Sequence, residues 1–183
     1  MGFFGEVSMG KLSDPAVAEM AEILRSRHGL DTLIETGTFE GESTLWAAER
    51  FRRVYTIEIC PNFHRIARDR CADHRNVIFL SGDTRFCLPF VLSAMTGPVM
   101  LWLDAHAAPG LFGEADDWPV LEELAIIERS PHHHVILIDD AHCFMPETPH
   151  PACPTLNAVE EWARASGYDC AVVGDVIVLT PVE

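Results

Sequence analysis

The stretch Leu33-Ile34-Glu35-Thr36-Gly37-Thr38-Phe39-Glu40-Gly41-Glu42-Ser43-Thr44 constrains the fold more than any other part of the chain. A short apolar run ends in an acid, crosses two glycines spaced G-x-x-x-G, and enters a helical pattern at Ser43-Thr44. Glycine has no Cβ, so the main chain turns tightly there and lets a ligand approach it closely. Ser43 or Thr44 is placed to accept a hydrogen bond from an orphan N–H of the helix that starts beside it. Strand, glycine loop and helix N-terminus are the usual cradle for a nucleotide-like ligand in a parallel α/β sheet. The spacing is not G-x-G-x-x-G, which argues against a dinucleotide pyrophosphate. An ordinary strand–helix turn would look the same in isolation, so the neighbouring segments decide.

Those segments repeat the pattern. Val54 to Ile59 reads as a second buried strand with Glu58 near its C-terminal end, where a carboxylate can accept bonds from ribose hydroxyls. Val77 to Leu80 forms a third, running into Ser81-Gly82-Asp83; Val99 to Leu103 a fourth, ending in Asp104; and His134 to Ile138 a fifth, ending in Asp139-Asp140. Helical periodicity fills the gaps: Pro15 to Gly29 after a capping Ser13-Asp14, Ser43 to Phe51, Pro61 to Cys71, Thr84 to Met95, a helix through Ile127, and Thr155 to Ser166. Residues 109–119 and 144–154 are proline-rich and read as irregular. Cys170 to Val173 and Val176 to Thr180 flank Gly174-Asp175 as an antiparallel hairpin. The expectation is one α/β domain over residues 1–183, with an N-terminal arm and cap helix at 1–29. Its core at 30–180 is Rossmann-like and doubly wound, with every strand apolar and helices on both faces.

In order and spacing, these motifs resemble the class I S-adenosylmethionine (SAM)-dependent methyltransferases. Glu35, Gly37 and Gly41 match that family's first motif, an acid followed by a glycine loop. The resemblance implies a seven-stranded, mostly parallel sheet of order 3-2-1-4-5-7-6 closed by the hairpin. It also implies that Glu35, Thr36, Gly37, Thr38, Gly41, Ser43 and Thr44 surround SAM, with Glu58 on the ribose. Gly82 and Asp83 would then lie beside the adenine and Asp104 near the sulfonium end.

Asp104, Asp139 and Asp140 form a second constellation, because strands four and five are neighbours in that order. Two carboxylates about 4 Å apart repel by roughly 4 kcal/mol at an effective dielectric near 20. Such a cluster holds a proton, recruits cations or binds a metal, and oxygen ligands suit Mg²⁺, Mn²⁺ or Ca²⁺. This resembles the metal-dependent O-methyltransferases of the catechol and macrocin types, which place a metal aspartate after strand four and an Asp-Asp or Asp-Asn pair after strand five. The catechol type also carries a lysine base just after the fourth strand. Here Asp104-Ala-His106 offers a histidine instead, and His142 is a second candidate for base or ligand. Both could equally cap strand ends. Leu111, Phe112, Trp118, Phe144 and Met145 form either an apolar substrate wall or ordinary core, and His132-His133-His134 reads as a solvated turn away from the site.

Charge narrows the partners. With 28 acidic against 13 basic residues the net charge is −15, and Lys11 is the only lysine. A nucleic-acid substrate would be repelled, which leaves a small hydroxylated molecule as the expected acceptor. The longest apolar runs are strand length, so no membrane partner is expected. The start of the chain lacks a basic signal region, and the six cysteines show no metal or C-x-x-C spacing, which together point to a reduced, cytoplasmic protein. Small methyltransferases of this type are often dimers, so the resemblance admits a homodimer. A metal-dependent hydrolase using the Asp/His cluster, and a non-catalytic SAM-binding module, are the alternatives to methyl transfer.

Overall fold

The computed structural model describes residues 12–106, 117–148 and 150–182. Its strands are Thr32–Thr36 (β1), Arg53–Glu58 (β2), Val77–Ser81 (β3), Met100–Leu103 (β4), Val135–Ile138 (β5), Tyr168–Val173 (β6) and Val176–Pro181 (β7). The helices are Pro15–Arg27 (α1), Glu42–Ala48 (α2), Pro61–Arg70 (α3), Thr84–Ser93 (α4), Val120–Ile127 (α5) and Leu156–Ser166 (α6). All seven strands join one sheet of order β3-β2-β1-β4-β5-β7-β6, as expected. The first five pair in parallel, and β7 runs antiparallel to both β5 and β6.

Register positions the site. Thr36 pairs with Ile57 and Leu103, and Leu103 with Ile138, so the strands finish level with one another. The ladder runs one step further: Gly37 N–H donates to Ile57 O (3.0 Å), Asp104 N–H to Thr36 O (2.9 Å) and Asp139 N–H to Leu103 O (3.1 Å). Gly37, Glu58, Asp104 and Asp139 therefore line one edge of the sheet.

The pleat sorts side chains into two cores, since successive residues of a strand face opposite ways. Ile34, Leu101, Leu103, Ile136 and Ile138 pack with Leu88 of α4, Leu124 of α5 and Val159 of α6. Leu33, Met100, Trp102, Val135 and Leu137 pack with Leu24 of α1 and Trp46 of α2. The same alternation sends Glu35 toward the α1–α2 face and Thr36 toward the α4–α6 face.

Several local expectations are corrected. Not every strand is apolar throughout: the edge strand β6 carries Asp169, and its Val172 and Val173 stand open to solvent. Asp14 precedes α1 without a side-chain cap bond, so Pro15 at the first turn marks that start by its fixed φ alone. A 3-10 turn at Ala141–Phe144 follows β5, where no element was expected. His134 is fully buried rather than part of a solvated turn. Its Nδ1 accepts the Val99 N–H (3.1 Å), its own N–H donates to the Tyr168 hydroxyl (3.0 Å), and Nε2 meets Ser130 Oγ at 2.8 Å. Burial pushes its pKa down to about 4, which keeps the imidazole neutral as a structural hydrogen-bonding group. The six cysteines are free, yet only Cys71 is buried.

Candidate active site

The glycine loop is built around two buried carboxylates. Gly37 (φ +81°) lies so close to β4 that a Cβ there would sit 2.2 Å from the Asp104 carbonyl oxygen. At Gly41 (φ +79°) a Cβ would meet the Ala67 side chain of α3 at 2.9 Å. Any larger residue at either position would push the loop off the sheet edge. Gly41 is itself the N-cap of α2, so neither Ser43 nor Thr44 caps the helix as expected. The Ser43 hydroxyl accepts the Leu12 N–H at 3.1 Å, and the Thr44 hydroxyl donates to Glu35 Oε2.

Glu35 explains that change. It is 1% exposed, and Thr56 also donates to its Oε2 at 2.6 Å, while Thr38 is hydrogen-bonded to Thr56. The Thr44 and Thr56 hydroxyls thus give the buried carboxylate two charge-assisted hydrogen bonds. Burial pushes the Glu35 carboxyl up to about 7, the Thr44 and Thr56 hydroxyls pulling the other way. Its second oxygen, Oε1, has no partner among the described residues.

Glu58, at the end of β2, is 4% exposed and clamps the loop from the other side. Oε2 accepts the N–H of Phe39 (2.8 Å), which holds a left-handed φ of +48°, and Oε1 accepts the N–H of Cys60 (2.7 Å). Burial raises its pKa, against those backbone donors. Each oxygen keeps a further lone pair for a ligand hydroxyl. Gly82 N–H donates to the Glu58 carbonyl (2.9 Å), which brings Asp83 alongside. Asp83 caps α4 through the Arg85 N–H (2.9 Å) and pairs with the Arg85 guanidinium (2.7 Å), which also reaches Asp117 (2.7 Å). The guanidinium holds Asp83 below the usual carboxylate range.

The ends of β4 and β5 are put together differently. His106 spans two aspartates, with Nδ1 3.5 Å from Asp104 Oδ1 and Nε2 3.4 Å from Asp140 Oδ2. Its ring stacks on Trp118 at 4.6 Å, and Trp118 meets Phe144 edge-on at 6.0 Å. Asp140 holds a left-handed φ of +56°, uncommon for a non-glycine residue, and this turns its carboxylate back toward His106. Desolvation and the neighbouring acids Asp139, Asp140 and Glu35 drive Asp104 well above the carboxylate range. Asp139 is 4% exposed with Oδ1 unpartnered among the described residues, and burial followed by the Asp140 charge pushes it up to about 7. Asp104, His106 and Asp140 offer ligand atoms within 4.8 Å of one another. Asp139 is not a member of that group, although it lines the same cleft.

His142 lies apart from this centre. Its Nδ1 sits 2.8 Å from Asp175 Oδ2 and its N–H donates to Asp175 Oδ1 (2.8 Å), forming with Asp140 a second group on the rim. Asp175 was not anticipated as part of the site, although the strand order holds the clue. The start of β7 must lie beside the end of β5, and Asp175 is the residue just before β7.

Glu123 of α5 was also missed. Val120, Glu123, Leu124 and Ile127 make the buried stripe of that helix, and a carboxylate inside such a stripe is the signal that could have exposed it. It lines a small cleft that opens to solvent, with Leu103, Asp104, His106, Trp118 and Phe144. Trp118 and Phe144 line that cleft and also pack into the core of the α4–α6 face, so both expectations for them stay open, while Leu111 and Phe112 lie outside the described residues.

No protein-family model matches this chain, and no curated protein matches it. Solved structures do share the fold. The O-methyltransferase TomG from Streptomyces achromogenes, involved in tomaymycin synthesis and solved with SAM, has a TM-score of 0.66 at 21% identity over 90% of this chain and 78% of its own. An O-methyltransferase from Bacillus cereus solved with S-adenosylhomocysteine (SAH) gives 0.65 at 18% identity over 93% and 82%. The SAM-bound amino pentose methyltransferase CalS10 from Micromonospora echinaspora gives 0.62 at 15% over 90% and 89%. The chain has the class I methyltransferase fold.

Proposed function

We propose that the protein is a methyltransferase that binds SAM over the β1–β2 edge and methylates a hydroxyl of a small molecule at the β4–β5 end. One observation carries this most: Glu58 and Glu35, on adjacent strand ends, are buried on either side of a glycine loop too tight for any side chain. That cradle leaves carboxylate lone pairs facing a ligand in a fold whose neighbours were solved with SAM or SAH. Glu58 would accept the ribose hydroxyls. The main chain from Thr36 to Gly41 would follow the methionine portion, with Thr38, Ser43 and Thr44 holding that loop in shape. Gly82 and Asp83 would border the adenine, and Asp104 the sulfonium end.

His106 would take the proton of the acceptor hydroxyl, being the imidazole held inside the cleft by Trp118, Asp104 and Asp140. Its two carboxylate neighbours fix the ring plane and stabilise the imidazolium that the proton transfer creates. His142, paired with Asp175 on the rim, is the reserve base.

A divalent cation such as Mg²⁺ fits the same end. The donor set is oxygen-rich, Asp139 Oδ1 is buried without a partner among the described residues, and burial raises the carboxyls of Asp104, Asp139 and Asp140, with repulsion from neighbouring acids adding to it. Asp104 and Asp140 would hold the ion, with Asp139 completing the set and His106 kept for the acceptor proton. When bound, it would lower the pKa of the acceptor hydroxyl. The net charge of −15 favours a small acceptor over a nucleic acid.

Calorimetry with SAH, followed by methyl transfer from labelled SAM to a panel of phenols and sugars with and without Mg²⁺, tests this. Micromolar SAH binding and metal-stimulated labelling are expected. No heat with either SAM or SAH would end it.

A further inference from the structure

The acid in the α5 stripe is not used by any step above. Glu123 is 1% exposed, its Oε1 has no hydrogen-bond partner among the described residues, and the charges that act on it are those of the acids Asp83 and Glu122. A leucine there would complete the apolar stripe, whereas a carboxylate with one oxygen left unpartnered is costly to bury. Burial pushes Glu123 up to about 7, the Thr84 and Thr36 hydroxyls pulling the other way. The residue also lines the cleft that His106 enters, among the aromatic faces of Trp118 and Phe144. An unsatisfied carboxyl beside aromatic rings matches an ammonium group in two ways. The carboxylate gives it a charge-assisted hydrogen bond, and the rings give it a cation–π surface. A chain of net charge −15 would also draw a small cation toward the cleft.

We propose that the cleft takes an acceptor carrying a protonated amine, and that Glu123 is the residue that selects it. The acceptor would then hold its hydroxyl at His106 and its ammonium at Glu123. This rests on the methyltransferase proposal for the identity of the cleft as the acceptor pocket, but not for the selection of a cation.

The test compares tyramine with 4-ethylphenol, which has the same ring and carbon chain but no amine. Binding of each is followed by calorimetry on the metal-free protein, with and without saturating SAH. Tyramine should bind at least about tenfold tighter, as expected for a buried charge-assisted contact. Glu123→Gln should remove that preference and leave SAH affinity unchanged, while Glu123→Asp, which keeps the charge, should retain part of it. The wild-type comparison already decides whether a cation is selected, even if the Gln variant folds poorly. No preference for tyramine in the wild type, or a preference that survives in Glu123→Gln, overturns the proposal. A loss of SAH affinity in Glu123→Gln also overturns it, by placing the residue under the cofactor. Absence of SAH binding to the wild type would instead sink the methyltransferase proposal, with the tyramine preference still readable on its own.

Discussion

The two halves of the functional edge treat their carboxylates in opposite ways. At the β1–β2 end Glu58 has a backbone N–H on each oxygen and Glu35 has two threonine hydroxyls on one. At the β4–β5 end Asp104, Asp139 and Asp140 face one another, with His106 bridging two of them. Neutral donors finish a site before any ligand arrives, so the first half is rigid and preorganised. Facing carboxylates leave a site short of positive charge, and protons, a metal ion or a cationic group must supply it. The contrast separates holding a cofactor from handling an acceptor.

The sharpest way to break this comparison is at His106. If it is the base for the acceptor hydroxyl, His106→Ala should lower kcat by about 10²–10⁴ while leaving SAH affinity nearly unchanged. An acceptor phenol already ionised at the assay pH should lose much less. Equal losses for ionised and un-ionised acceptors would make His106 a ligand or positioning group, and His142 the next residue to change.

A second test uses pH. Glu35 and Glu123 are both raised by burial from 4.5 to about 7, so the folded state holds these protons more tightly than the unfolded chain does. Their contribution therefore favours folding most below pH 4.5 and declines as the pH rises through 7. Each is worth on the order of 3 kcal/mol across that window. The melting temperature of the ligand-free protein should fall between pH 5 and 7.5, and fall less steeply in Glu35→Gln or Glu123→Gln. A flat profile in the wild type would show that these carboxyls are better solvated or paired than the structure has them.

Glu58→Ala should weaken SAH binding by roughly 1.5–3 kcal/mol, through lost charged hydrogen bonds and the released Phe39 N–H. Mg²⁺ affinity should not change, because the β4–β5 end is built independently. The smallest effect belongs to Asp83→Ala. Loss of the α4 cap should cost about 1 kcal/mol of stability, read from a denaturant midpoint, with little change at the acidic end.

Much of this arrangement was legible in the chain. Five strand-length apolar runs, each finishing in an acid or a Gly-Asp, marked the strands, and the resemblance to class I methyltransferases supplied the sheet order that puts Glu35, Glu58, Asp104, Asp139 and Asp140 on one edge. What stayed hidden depended on which group wins a side chain in three dimensions. Ser43 and Thr44 have the composition of helix caps, but the Leu12 N–H occupies one and the buried Glu35 captures the other. Asp139 and Asp140 are adjacent in sequence, yet the left-handed turn at Asp140 sends them to different neighbours. His134 differs from His132 and His133 only in entering the space between Val99, Ser130 and Tyr168. Glu123 was masked by the apolar residues around it, since a helix stripe is read by its majority.

The most direct test is a crystal structure of the protein with SAH and Mn²⁺, with data collected at the manganese edge. SAH should lie over the glycine loop with its ribose on Glu58, and an anomalous peak should stand between Asp104 and Asp140. An empty glycine loop, or manganese held anywhere but the β4–β5 end, would contradict the division of labour between the two halves.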